Sequence, residues 1–202
     1  LIHNENAIDE SENLDQEESL ISMKQGISRL SHLVGQLLSL SRSESSIGDK
    51  QFSRFDVGQL CHQTFDMLQV KAEQKQQAYS AHIDSDSCLI LGNSALLQSL
   101  LRNILDNAIR YSPASADVTL ECLREDNKVV IQISDSGPGI PFELRERVTD
   151  RFYRVAGSGQ QGSGLGLSIV DKIADLHQAK WQLLDSKLGG LCVRFEFNQL
   201  ND

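Results

Sequence analysis

Asn103, Asn107, Arg110 and Tyr111 stand at i, i+4, i+7 and i+8 in a segment whose pattern predicts a helix over Ser94–Tyr111. That spacing puts two carboxamides, a guanidinium and a phenol on one stripe. Leu96, Leu97, Leu100, Leu101, Ile104, Leu105, Ala108 and Ile109 form a separate, broad apolar face. Carboxamide oxygens are hard donors acceptable to Mg²⁺, and a guanidinium pairs with phosphate oxygens. The stripe therefore suits a metal-bound polyphosphate. A solvated helix face accounts for the same four residues, and on this segment alone the two readings stand level.

Two further segments bear on the choice. Val129–Ser134 alternates as a strand and runs into Asp135-Ser136-Gly137-Pro138-Gly139-Ile140. An Asp at a strand end followed by two glycines lets the backbone turn sharply and approach a flat ligand. Its carboxylate can accept a hydrogen bond from an exocyclic amino group such as that of adenine. Taken alone, this piece is equally an ordinary Gly-Pro turn. Gly162-Ser163-Gly164-Leu165-Gly166-Leu167 then leads into a helical pattern ending at His177. Glycines just before a helix start expose backbone N–H groups to a phosphate. Gly157-Ser158-Gly159-Gln160-Gln161-Gly162 also fits G-x-G-x-x-G, but no convincing strand precedes it and no helix opens at the match, so a dinucleotide fold is disfavoured. No Walker A sequence occurs.

The elements that must hold these residues follow from periodicity. Val57, Leu60, Cys61, Thr64, Phe65, Leu68 and Ala72 mark one helix face. Strand patterns lie at Ala78–Asp84, Cys88–Leu91, Asp117–Arg124, Lys128–Ser134, Trp181–Asp185 and Cys192–Asn198, and helical ones at Ser94–Tyr111 and Leu165–His177. Paired strands with interspersed helices predict an α/β two-layer sandwich, a mixed β-sheet covered by helices. Upstream, Leu20, Met23, Ile27, Leu30, Val34 and Leu37 recur as a heptad seam that wants a partner helix, and polar Ser43–Lys50 reads as a linker.

The chain of 202 residues carries 19 basic and 28 acidic side chains, a net charge of −9. That balance disfavours nucleic acid and anionic membrane surfaces as main partners. Cys61, Cys88, Cys122 and Cys192 contain no Cys-x-x-Cys pair and read as small buried apolar residues of a reducing compartment.

Together the motifs resemble the two-component sensor histidine kinases, within the superfamily that also holds the gyrase, Hsp90 and MutL ATPases. Asn103–Tyr111 resembles the family's N box, Asp135–Gly139 its G1 box, Arg151-Phe152-Tyr153-Arg154 its F box and Gly162–Leu167 its G2 box. All four stand in the family's order. Gln16–Ser43 is similar to the second helix of the dimerisation and phosphotransfer domain. Ile104–Pro113 and Gly164–His177 most resemble the QseC-type quorum-sensing kinases.

The resemblance implies the Bergerat ATP-binding fold over residues 53–202, a linker at 48–52 and a helical-hairpin remnant at 1–47. It implies ATP and Mg²⁺, with Asn107 as metal ligand and Asn103 beside it. Arg110 and Arg154 meet the phosphates, and Tyr111 lines the nucleotide. Asp135 reads adenine, with Gly137, Gly139 and Ile140 at its side. Gly162, Gly164, Leu165, Gly166 and Leu167 form the second glycine-rich contact, and a lid spans about Thr149 to Gly164. The implied activity is transfer of the γ-phosphoryl group to a histidine and then to an aspartate of a response regulator. A second kinase protomer is the other implied partner. The implied location is the cytoplasmic portion of a bacterial inner-membrane protein, with no direct membrane contact by this segment.

Two departures accompany the resemblance. The family's acceptor is a His followed by an acidic residue and, further along the helix, a Pro, whereas the prolines here are Pro113, Pro138 and Pro141. His3 and His32 fit poorly, so the acceptor is expected upstream of Leu1, and His62, His82 and His177 are expected to be surface or packing residues. Gly189-Gly190-Leu191-Cys192 departs from the family's third glycine box and receives no role. Two rivals stand beside the kinase reading. In ATP hydrolases of this fold a Glu occupies the position of Asn103, and a carboxamide is a poor base. A non-enzymatic nucleotide-binding module is the other.

Overall fold

The computed structural model describes residues 52–84, 88–154 and 163–200. The chain falls into two units, Leu1–Leu38 and Ser39–Asp202, and every described residue belongs to the second. The heptad seam, the polar 43–50 linker, His3, His32 and about half of the expected lid, residues 155–162, lie outside the described residues.

The elements run β1 Ser53–Asp56, α1 Val57–Gln74, β2 Ala78–Ile83, β3 Leu89–Gly92, α2 Ser94–Tyr111, β4 Asp117–Glu125 and β5 Lys128–Asp135. Two short 3-10 turns follow, Phe142–Leu144 and Arg147–Thr149, and then α3 Gly166–Leu176, β6 Lys180–Asp185 and β7 Leu191–Asn198. The main sheet has the order β2-β4-β5-β7-β6, and β1 pairs with β3 in a separate ribbon. β2 lies parallel to β4, and every other neighbour in the main sheet is antiparallel, so the sheet is mixed as expected.

Its register builds one apolar face. Leu120 stands opposite Ile133 and Cys122 opposite Ile131. Ile131 in turn faces Phe195, and Val129 faces Phe197. All seven side chains are buried. The other face carries Thr119, Glu121, Gln132, Ser134, Arg194 and Glu196, where Arg194 bonds Glu125 at 2.6 Å and Glu196 at 3.2 Å. This apolar-in, polar-out alternation is that of a sheet covered on one side only. Asp135 continues the inward series of Ile131 and Ile133, so β5 delivers a carboxylate to the helix side of the sheet at its own end.

α2 is the central helix, packed against α1 on one side and α3 on the other. Asn93 caps it, its Oδ1 accepting from Leu96 N–H at 3.1 Å. The eight apolar residues of its predicted face are all buried. Asp56 caps α1 in the same manner, accepting from Gly58 N–H at 2.8 Å. The four cysteines are buried free thiols, and His62 and His82 are exposed.

Strand and helix limits differ from the expected ones by a residue or so at several ends. β1 was not expected. Its four residues show no buried face, so no periodicity marks them; the strand exists because β3 offers an antiparallel partner from Ser53↔Gly92 to Asp56↔Leu89.

Candidate nucleotide site

The polar stripe of α2 is half-buried, at Asn103, Asn107, Arg110 and Tyr111 alike. Asn103 turns its Nδ2 back to Ser99 O at 2.8 Å, which fixes the carboxamide. Its Oδ1 faces the start of α3: a Cβ built on Gly166 would lie 3.3 Å from it and 3.6 Å from Asn107 Nδ2. Both carboxamides of the stripe therefore meet the first turn of α3. No side chain caps that turn, so its backbone N–H groups point along the axis with the positive end of the helix dipole. Ser163 Oγ accepts from Leu165 N–H at 3.2 Å just ahead of it.

Gly164 has φ +71°, and a Cβ there would stand 2.6 Å from Phe152 C. Phe152 N–H donates to Gly164 O at 3.0 Å. The F-box and G2-box residues are thus joined backbone to backbone, and only a glycine fits the junction. Leu165 is buried and Leu167 half-buried beside it. Arg154 is exposed, and Gly162 lies outside the described residues.

At the far end of α2 lies Asp135, 8% exposed. Its Oδ1 accepts from Gly137 N–H at 2.8 Å and Leu191 N–H at 3.2 Å. Burial raises its pKa above the usual carboxylate range, and the two backbone N–H groups pull the other way. Gly139 has φ +66° and packs on Gly190, whose carbonyl oxygen would be 3.4 Å from an added Cβ. Ile140 is half-buried, and its carbonyl accepts from Arg145 Nε at 3.0 Å. Arg145 also donates to Leu183 O at 3.1 Å and pairs with Asp185, which ties the glycine turn to β6.

The two clusters sit on one rigid element. Asn107 and the C-cap residue Ser112 are separated by five helical steps, about 7.5 Å along the axis. A ligand with an amino-bearing flat end and an anionic, metal-binding end would meet Asp135 with the first and the Asn–Gly166 junction with the second. Among the described residues no group of three His, Cys, Asp or Glu could hold a metal ion, so a cation here would take carboxamide and phosphate oxygens.

The family model for histidine kinase-, DNA gyrase B- and HSP90-like ATPases matches residues 92–201, just over half of the chain. The chain belongs to this ATPase family. It is 37% identical over 174 residues to the sensor protein QseC of Escherichia coli (strain K12), covering 85% of this chain and 37% of that protein. The solved cytoplasmic segment of histidine kinase QseC superposes with a TM-score of 0.58 at 26% identity, over 86% of this chain and 95% of that one. The catalytic domain of histidine kinase ThkA gives a TM-score of 0.66 at 24% identity, over 73% of this chain and 97% of that one. The likeness to ThkA establishes the fold. The chain spans little more than a third of the length of the curated QseC relative.

Within this ATPase domain three residues escaped the sequence reading. Asp106 bridges Lys71 of α1 and Arg110, its Oδ2 meeting Arg110 Nη2 at 2.5 Å. The i, i+4 spacing of Asp106 and Arg110 was a usable signal. Arg145, which anchors the G1 turn, gave none. Gly190 belongs to the segment assigned no role, yet its N–H donates to Asp135 O at 3.1 Å and its missing side chain leaves room for the carboxylate.

Proposed function

We propose that the chain is the ATP-binding, phosphoryl-donating part of a sensor histidine kinase. Adenine is bound at Asp135, with Gly137, Gly139 and Ile140 at its side. The phosphates meet Arg110, Arg154 and the backbone at Gly162–Leu167, with Tyr111 along the nucleotide. Asn107, with Asn103 adjacent, would hold Mg²⁺, which would supply charge neutralisation on the transferring phosphoryl group. A histidine nitrogen of the acceptor segment bonds to the γ-phosphorus as its bond to the β–γ bridging oxygen breaks, ADP leaves, and the imidazole proton passes to solvent. A neutral imidazole is already a nucleophile, so the domain needs no base.

The observation that carries this reading is the meeting of Asn103 and Asn107 with the uncapped start of α3 at Gly166. The same observation disfavours a hydrolase. The side chain in the position of the water-activating Glu is a carboxamide whose Nδ2 is committed to Ser99 O. Further proposals follow from the kinase reading: an acceptor histidine outside these 202 residues, a second kinase protomer, a response regulator that receives the phosphoryl group, and a place on the cytoplasmic side of a bacterial inner membrane. No described helix is long and apolar enough to cross a membrane.

Calorimetric titration with ATP analogues, with and without Mg²⁺, tests the site. Asn107→Ala should fold normally, because the side chain lies off the buried face of α2, and should lose the Mg²⁺-dependent part of binding. A folded Asn107→Ala protein with unchanged Mg²⁺ dependence would overturn the assignment.

A further inference from the structure

The carbonyl end of α2 is closed from another element. A helix commonly ends on a left-handed residue whose N–H groups turn back to its last carbonyls. Here Ser112 follows Tyr111 in extended backbone, with ψ 144°, and Pro113 has no N–H to offer. Ser112 N–H meets Ala108 O at 3.2 Å, and side chains rooted just past α1 meet the carbonyls beyond it. Lys75 Nζ donates to Ile109 O at 2.8 Å, Arg110 O at 3.0 Å and Ser112 O at 2.8 Å. Gln77 Nε2 donates to Ile109 O at 3.0 Å, Ser112 O at 3.2 Å and Pro113 O at 3.0 Å.

Lys75 is the C-cap of α1, and Gln76 after it has φ +56°, so the chain turns there and Lys75 and Gln77 reach the same carbonyls. An ammonium has three hydrogens, and three carbonyls within 3.0 Å take them, which leaves none for a phosphate. Its charge lies at the negative end of the α2 dipole. Lys71, four residues earlier on α1, pairs with Asp106, which in turn pairs with Arg110. One face of α1 therefore holds Arg110 twice, at the guanidinium through Asp106 and at the backbone carbonyl through Lys75.

We propose that Lys75 is a positioning residue for phosphate binding, its ammonium pinning the last turn of α2 so that Arg110 stays directed at the triphosphate. The inference rests on the assignment of Arg110 to the phosphates. The last turn is where a helix frays, because its carbonyls have no partner within the helix. A guanidinium carried there contributes to binding only if its backbone is held to about half an ångström. Lys75 supplies that hold without touching the nucleotide, so its effect on affinity exists only while Arg110 is present to be held.

The test is a double-mutant cycle on the 202-residue chain, with Mg²⁺-ATP affinity read by calorimetry. Lys75→Met keeps a long apolar stem and removes every donor. It should weaken ATP by about 5- to 10-fold in the parent, the scale of one hydrogen bond. In the Arg110→Ala background the same substitution should change ATP affinity by less than about 2-fold. A merely structural role would lower the melting temperature and cost ATP the same factor in both backgrounds, and that result overturns the proposal. So does unchanged ATP affinity in a folded Lys75→Met protein. If Lys75→Met does not fold, Lys75→Gln, which keeps two donors, takes its place in the cycle. Its loss should be smaller and should again vanish without Arg110, and an equal loss in both backgrounds overturns the proposal. Arg110→Ala alone separates this from the underlying reading. If it keeps full ATP affinity, the phosphate assignment itself fails; if it weakens ATP while the Lys75 substitution changes nothing, only the Lys75 proposal fails.

Discussion

Gly190 and Asp135 stand so close that no side chain fits between them. A Cβ on Gly190 would collide with Asp135 Oδ1 and lie 2.5 Å from Gly137 N and 2.6 Å from Asp135 O. Two of those three atoms are rigid backbone, so the strain of Gly190→Ala has no cheap outlet. The variant should lose about 1–3 kcal/mol of stability, the usual range for overpacking. It should also bind ATP more weakly, because the atom displaced is the proposed base reader. Thermal unfolding and nucleotide titration on one sample check both, and a variant matching the parent in both would contradict the packing.

Asp135 should show opposite effects on stability and binding. Its folded pKa is raised by burial. The folded state therefore binds more protons than the unfolded one between the ordinary carboxylate value and the folded value. The sign follows: this group's contribution to stability is greatest below the unfolded pKa and is lost as pH rises through the folded one. At neutral pH the buried charge costs stability, a cost that the proposed base-reading role would account for. Asp135→Asn should be at least as stable as the parent at pH 7 and show less gain on acidification, while binding ATP about 10-fold or more weakly. Urea unfolding across pH 3–7 measures the first effect and calorimetry the second.

His177 carries the opposite sign. It is buried, its Nε2 accepts from Asn93 N–H at 3.0 Å, and its Nδ1 lies 2.7 Å from Ile173 O. That arrangement requires the neutral tautomer with the proton on Nδ1. Burial lowers its pKa below the ordinary 6.5, against the effect of the two backbone contacts. Its contribution is fully present above the unfolded pKa and is lost as pH falls towards and through the folded one. Asn93 is the N-cap of α2, so protonation also removes support from the start of the helix that carries the site. The parent should lose stability on acidification below about pH 6.5, the unperturbed imidazole value, and His177→Gln should flatten that part of the profile.

Asp106 joins Lys71 to Arg110 and should orient the guanidinium. Asp106→Asn leaves Arg110 charged but removes its ion pair. The pair is only partly buried, so stability should fall by about 1 kcal/mol or less. Affinity for ATP should fall by more than affinity for adenosine, since Arg110 is assigned to the phosphates. Comparable losses for the two ligands would refute a role through Arg110.

The legible part of the fold was what local periodicity and capping encode. Helix α2 was delimited at Ser94–Tyr111 because its apolar face is continuous; the cap at Asn93 became evident only in the fold. The placement of Asp135 on the inner face was implicit in the alternation of β5. What escaped was tertiary. Asp106 acquires its bridging position only when α1 brings Lys71 across, 35 residues away in sequence. Nothing in the sequence singles out Ser112, and its closeness to Gly137 appears only in the fold. Gly190 lay in a segment that departs from the family pattern, and the need for glycine there comes from a carboxylate 55 positions earlier in the chain.

The most direct test of phosphoryl donation supplies the proposed acceptor on a separate protein. The 202-residue chain, γ-labelled ATP and Mg²⁺ are incubated with a separate dimerisation-domain protein carrying an acceptor histidine. Docking is then bimolecular and slow compared with a linked acceptor. Label should nevertheless appear on the acceptor protein, be lost in acid and survive base as a phosphoramidate does, and vanish when that histidine is replaced or when Asn107→Ala is used. The chain alone should remain unlabelled. Release of inorganic phosphate with no label on the acceptor, or stable labelling of the chain by itself at His3 or His32, would contradict the account.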